Sequence, residues 1–126
     1  MIKTAVIGFG LSARVFHLPF IASSTQFELT GISTSQSDAA QCWPDVRIFP
    51  DAESLIQNTD ASLIVITAPN RAHFSLAKTA LFAGKDVLVE KPLAASLADG
   101  QQMQQLCLAK SQTPVAVAYC LRFLPA

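Results

Sequence analysis

Short apolar runs alternate with amphipathic stretches along this chain, and the alternation predicts strands separated by helices. Lys3–Gly8 (KTAVIG) is apolar and ends at glycine, the pattern of a buried strand. Leu11 to Ser23 reads as a helix with a bend before Pro19. Phe27–Ser33 (FELTGIS) is a second strand, Ser35–Pro44 is polar and irregular with room for one helical turn, and Val46–Phe49 is a third strand. Asp51 is placed to cap a short helix running to Asn58. Ser62–Thr67 (SLIVIT) is a continuous apolar, β-branched run, as expected for a central parallel strand covered on both faces. Asn70 stands where a helix cap belongs. The helix after it carries Phe74, Ala77 and Leu81 on one face and stops at Gly84. Asp86–Glu90 (DVLVE) is the next strand, Ser96 and Asp99 have capping-box spacing for a helix to Lys110, and Val115–Tyr119 closes as a sixth strand.

Strands and helices in this order predict an α/β fold: a Rossmann-type doubly wound parallel sheet with helices on both faces. Right-handed crossovers and two βαβαβ halves give the strand order 3-2-1-4-5-6.

Composition narrows the function classes. The chain has 126 residues, the size of one domain. Nine basic residues balance nine acidic ones, which removes the electrostatic reason to expect nucleic acid or an anionic membrane as partner. Charged residues make up 14% against roughly 25% in a typical soluble domain, hydrophobic residues 51%, and mean hydropathy is +0.37. Such an apolar chain has either a sheet buried on both faces or a surface that something else covers. Cys42, Cys107 and Cys120 are odd in number and form no CxxC pair, and there are two histidines. A disulfide framework or a metal site is therefore not expected, which suits a reducing cytoplasm. No uncharged apolar run approaches the roughly 20 residues of a membrane span, and the N-terminus lacks signal-peptide anatomy.

The chemistry gathers at predicted strand ends. Gly8-Phe9-Gly10-Leu11-Ser12-Ala13 is a G-x-G-x-x-A that follows a strand and opens a helix. Gly8 allows the tight turn, Gly10 lets a pyrophosphate approach the backbone, and Ala13 lets helix and strand pack closely. The amides of Leu11, Ser12 and Ala13 then face the phosphates of a dinucleotide. An NAD-preferring fold usually carries an acid at the end of its second strand. Glu28 lies at the wrong edge, and Ser33, Thr34 and Ser35 at the correct edge carry no charge and offer three hydroxyls to a 2′-phosphate. The cofactor expected is NADP, with NAD as the other candidate. Arg14 is a further phosphate partner to consider. Thr67-Ala68-Pro69-Asn70-Arg71-Ala72-His73 and Glu90-Lys91-Pro92 end the fourth and fifth strands, so both point into the crevice of the glycine turn. Lys91, its backbone restricted by Pro92, can orient a substrate hydroxyl or share in proton transfer. Taken singly, Lys91 also reads as a solvated lysine and His73 as a packed or capping histidine.

The ordered set GFGLSA, APNRAH, EKP and the terminal AYCLRFLP resembles the N-terminal nucleotide-binding domain of the glucose-fructose oxidoreductase / inositol dehydrogenase / MocA family. It does so over essentially the whole chain, from Ile2 to Pro125. Gly8 to Phe20, with Arg14, Phe16, His17 and Pro19, is most similar to the branch of NADP-dependent scyllo-inositol dehydrogenases. The resemblance implies hydride transfer between a nicotinamide and a hydroxyl of a sugar or cyclitol. It implies that Pro69 and Asn70 line the cofactor cleft with His73 in support, and that Glu90 lies near the nicotinamide ribose. Lys91 would be the lysine oriented toward the reacting hydroxyl, Pro92 would follow a cis peptide, and Arg122 would match an arginine of the terminal segment. Ala68, Leu124 and Cys120-Leu121-Arg122-Phe123 depart from the family's usual residues. The family continues into a second α/β domain that supplies most of the substrate site, so residues 1–126 are expected to be the cofactor half of such an enzyme. A homo-oligomer is compatible with this, and an apolar patch is expected around Leu121, Phe123 and Leu124. A stand-alone NADP-binding redox sensor is the alternative from another class; no basic patch or recognition helix supplies it with an effector surface.

Overall fold

The computed structural model describes residues 1–91, 96–109 and 115–118. Six parallel strands form one sheet in the order β3-β2-β1-β4-β5-β6, as expected from the alternation of elements. They are β1 (Ile2–Ile7), β2 (Phe27–Ser33), β3 (Arg47–Phe49), β4 (Leu63–Ile66), β5 (Asp86–Glu90) and β6 (Val115–Ala118). The order reverses beside β1, so the crevice between the C-terminal ends of β1 and β4 is the topological switch point.

The buried stretches of the central strands β1 and β4 are nearly all apolar because both of their faces are covered. Side chains alternate across a strand. Ala5 and Ile7 of β1, with Ile64 and Ile66 of β4, join the core on one face; Val6 and Val65 join the core on the other. The first face is closed by α3 (Ala52–Asn58), α4 (His73–Phe82) and α5 (Leu97–Ala109), through Leu55, Ala77, Leu81 and Met103. The second is closed by the helical segment after β1 and by α2 (Ala39–Cys42), through Ala13, Leu18 and Ala39.

The sequence places the helix ends with few exceptions. Asp51 Oδ1 accepts from the Ser54 amide at 2.8 Å and caps α3. Ser96 Oγ accepts from the Asp99 amide at 3.2 Å ahead of α5. Gly84 takes a left-handed φ of +79° just past α4. Asn70 is the exception. It opens a 3-10 turn, Asn70–Ala72, and the cap position of α4 is Ala72, so the predicted cap lies one turn too early. Pro69 explains the extra turn, since the Ala72 amide bonds back to the Pro69 carbonyl at 2.8 Å before the α-helix can begin.

The first helix contains the expected bend in a specific form. Ala13–His17 is a π-helical turn that runs into α1 (Leu18–Ser23). The Leu18 amide reaches back to the Ala13 carbonyl, five residues away. Pro19, in the first turn of α1, has no amide to give and clashes with a regular preceding turn; widening that turn accommodates it.

Candidate functional site

At the end of β1 the chain turns through Gly8, whose φ is +107°. A Cβ there would lie 2.5 Å from Thr67 Oγ1, so a side chain is excluded by backbone angle and by space. Thr67 Oγ1 donates to the Ile7 carbonyl at 2.8 Å, and the Gly8 amide donates to the Ser33 carbonyl at 2.9 Å, which together tie the turn to β4 and β2. Gly10 is different. A Cβ on it would meet nothing within 4 Å, so its open side faces free space. The Arg14 amide to the Gly10 carbonyl, 3.0 Å, is the first backbone bond of the helical segment, and the amides of Leu11, Ser12 and Ala13 precede it at the helix N-terminus. Ala13 is fully buried against the sheet, as close packing of helix and strand requires. A tight turn, an unobstructed backbone and unsatisfied leading amides fit a dinucleotide pyrophosphate.

The end of β5 meets the same turn. Glu90 Oε1 accepts from Ser12 Oγ at 2.9 Å and lies 2.6 Å from Nε2 of the buried His17. The π turn places His17 for this contact. Lys91 follows directly and is exposed at the same sheet edge. Pro92 lies outside the described residues, as do Arg122 and the expected apolar patch at Leu121, Phe123 and Leu124. From β4, Ala68 is half-buried and Pro69 exposed, while the side chain of Asn70 is not among those described. His73 is only 1% exposed, and its Nε2 donates to the Ala68 carbonyl at 2.7 Å, bracing the loop from beneath.

The end of β2 supplies the third side. Ser33 is buried, Thr34 Oγ1 accepts from the Gln36 amide at 3.0 Å, and Ser35 is the exposed hydroxyl of the three. Glu28 pairs with Lys3 at the opposite end of the strand. Arg14, the candidate phosphate partner, gathers its contacts beside this strand end. Arg14 Nε donates to the Phe9 carbonyl at 2.9 Å, and Arg14 Nη2 donates to Gln36 Oε1 at 2.6 Å and to Asp38 Oδ2 at 3.0 Å. Its guanidinium sits 4.0 Å from the centre of the Phe9 ring. Gln36 Nε2 donates to the same Phe9 carbonyl at 3.1 Å. Thr67 opens the segment predicted to face the crevice, whereas strand ends and motifs alone do not point to His17, Gln36 or Asp38. Their contacts are long-range in sequence.

The chain belongs to an oxidoreductase family with an NAD-binding Rossmann fold, the glucose-fructose oxidoreductase / inositol dehydrogenase / MocA family, whose model matches residues 2–119. It is 39% identical to the uncharacterised oxidoreductase YdgJ of Escherichia coli K12 over 106 residues, 83% of this chain and 31% of that protein. It is 28% identical to the NADP(+) scyllo-inositol 2-dehydrogenase IolW of Bacillus subtilis, over 82% of this chain and 29% of that protein. Scyllo-inositol dehydrogenase from Lactobacillus casei, solved with NAD(H) and scyllo-inositol bound, shares the fold with a TM-score of 0.88 at 23% identity, over 98% of this chain and 37% of that one. The chain therefore spans about a third of the length of these relatives.

Proposed function

We propose that residues 1–126 are the cofactor domain of an NADP-preferring oxidoreductase that moves hydride between a nicotinamide and a hydroxyl of a sugar or cyclitol. The reading rests foremost on the convergence of the ends of β1, β2, β4 and β5 on one crevice, with the Ser12–Glu90–His17 contacts joining the β1 turn to β5. The named activity of IolW supports the substrate class and the cofactor. A substrate domain would accompany this one in the whole enzyme.

A bound dinucleotide supplies hydride chemistry at C4 of its nicotinamide, and the protein's part is to hold and orient. Gly8 and Gly10 shape the turn, and the amides of Leu11, Ser12 and Ala13 hold the pyrophosphate. Ala68, Pro69 and Asn70 form the wall of the cleft, which His73 braces. Ser33, Thr34 and Ser35 stand at the adenosine end. Glu90 is held by Ser12 and His17, which fixes the backbone that carries Lys91. Lys91 orients the reacting hydroxyl and shares in its proton transfer, and Pro92 restricts it.

Fluorescence titration of the chain with NADPH and NADH tests this. Both should bind, NADPH more tightly. Absence of binding overturns the domain assignment, and equal affinities overturn the NADP preference.

A further inference from the structure

The adenosine edge of the crevice holds one cation and one anion in contact, and they favour opposite cofactors. Arg14 leaves the first helix just after the glycine turn and reaches the loop beyond β2, where Asp38 meets it. In dinucleotide folds an acid at the end of the second strand hydrogen-bonds the adenosine ribose, whereas an arginine nearby accommodates a 2′-phosphate; Asp38 follows that strand end by five residues, and Arg14 reaches it from the first helix. Ser33–Ser35 carry no charge, and Arg14 and Asp38 are the ion pair that the fold sets beside them.

We infer that Arg14 and Asp38 form a reciprocal cofactor selector, in which Arg14 exchanges Asp38 for the 2′-phosphate of NADP. The inference rests on the dinucleotide-binding reading above. Three observations carry it. Arg14 is anchored without Asp38, through its Nε bond to the Phe9 carbonyl and its stacking on the Phe9 ring. The guanidinium can therefore stay in place while one partner is replaced. Gln36 grips the same Nη2 and the same Phe9 carbonyl, which fixes the fork relative to the glycine turn. Both ions of the pair are open to solvent, with 39% and 48% of the side chains exposed, so an incoming phosphate can reach them. A phosphate dianion offers more acceptor oxygens than a carboxylate and suits the planar fork of arginine. When Arg14 is absent, Asp38 is released to accept from ribose hydroxyls, and the preference turns toward NAD.

The test is titration of the 126-residue chain with NADPH and with NADH, in the parent and in Arg14→Gln, Arg14→Lys and Asp38→Asn. Thermal melts report whether each variant is folded. In Arg14→Gln, NADPH affinity should fall about 10- to 100-fold, the scale of a hydrogen bond to a charged group. NADH affinity should hold or rise. Arg14→Lys should retain part of the preference, and it keeps the test alive if Arg14→Gln does not fold. Asp38→Asn should raise the NADPH-to-NADH preference, and added salt should erode NADPH binding more in the parent than in Arg14→Gln. An unchanged preference in Arg14→Gln overturns the selector. An equal loss for both cofactors also overturns it, because Arg14 would then be only a clamp on the Phe9 carbonyl. An unchanged preference in Asp38→Asn removes Asp38 from it. Failure of the parent to bind either dinucleotide overturns the underlying reading and the selector together, an outcome distinct from the others.

Discussion

Two glycines in one turn do different work, and substitution separates them. Gly8 has a left-handed φ and a close threonine neighbour, so Gly8→Ala strains the backbone and presses on Thr67 Oγ1. A loss of about 1–3 kcal/mol is expected, the range for a residue forced into a sparsely populated conformation, read as a lower urea midpoint. Gly10→Ala meets no atom of the protein, so stability should hold while dinucleotide affinity falls. Gly10→Ala binding NADPH as tightly as the parent would show that the phosphates do not pass over this residue. His73 gives a third contrast. Its imidazole is buried and donates to the Ala68 carbonyl, so His73→Ala opens a cavity and orphans that carbonyl. Stability should drop, and on the proposed reading cofactor affinity should drop with it, because the braced loop would wall the cleft.

At the scale of elements, the legible features are those decided by local chemistry. Asp51 and Ser96 were readable as caps because a side-chain acceptor three residues before a helical amide is a local geometric fit. Asp51→Ala should cost about 1 kcal/mol in denaturant unfolding. The strand runs and their order were readable because a doubly covered sheet leaves continuous apolar segments and few allowed connections. What stayed hidden depends on register and on contacts between distant elements. Pro19 announces a bend, but no residue announces a π turn, and that turn is what delivers His17 to Glu90. Asn70 looks like a cap until Pro69 adds a turn ahead of it. The start of β1 carries another long-range pair: Lys3 Nζ bonds Asp60 Oδ2 at 2.9 Å, just ahead of β4. That bond lowers the Asp60 carboxyl below its usual 3.8 and raises the Lys3 amine above its usual 10.5. Asp60's contribution is therefore full above pH 3.8 and fades as pH falls through the lowered value. Lys3's is full below pH 10.5 and fades as pH rises through the raised value. The pair is exposed, so the effect is small. Stability curves of the parent and Asp60→Asn should separate at neutral pH and converge in acid; a constant gap down to strong acid would contradict the assignment.

Across the whole molecule, the high apolar content follows from a sheet with a core on each face. The same architecture makes ligand binding a global event. On the proposed reading, a dinucleotide on the glycine turn would touch β1 and the first helix directly, and Ser12 and His17 would carry that contact to Glu90 at the end of β5. The Gly8 amide would carry it to β2 through the Ser33 carbonyl. Both halves of the sheet are thereby bonded to one turn, so they should gain stability together. At a free cofactor concentration a hundred times Kd, the folded state gains about 2.7 kcal/mol. At roughly 3–5 °C per kcal/mol for a domain of this size, that is a rise in melting temperature of about 10 °C. Trp43, the single tryptophan, packs against the core on the α2 side and reports that face of the sheet. Far-ultraviolet circular dichroism reports the helices of both faces. With saturating NADP+, the two probes should shift by the same amount and remain coincident. A shift larger in Trp43 than in circular dichroism would mean that the helices of the opposite face, α3, α4 and α5, unfold independently of the cofactor turn.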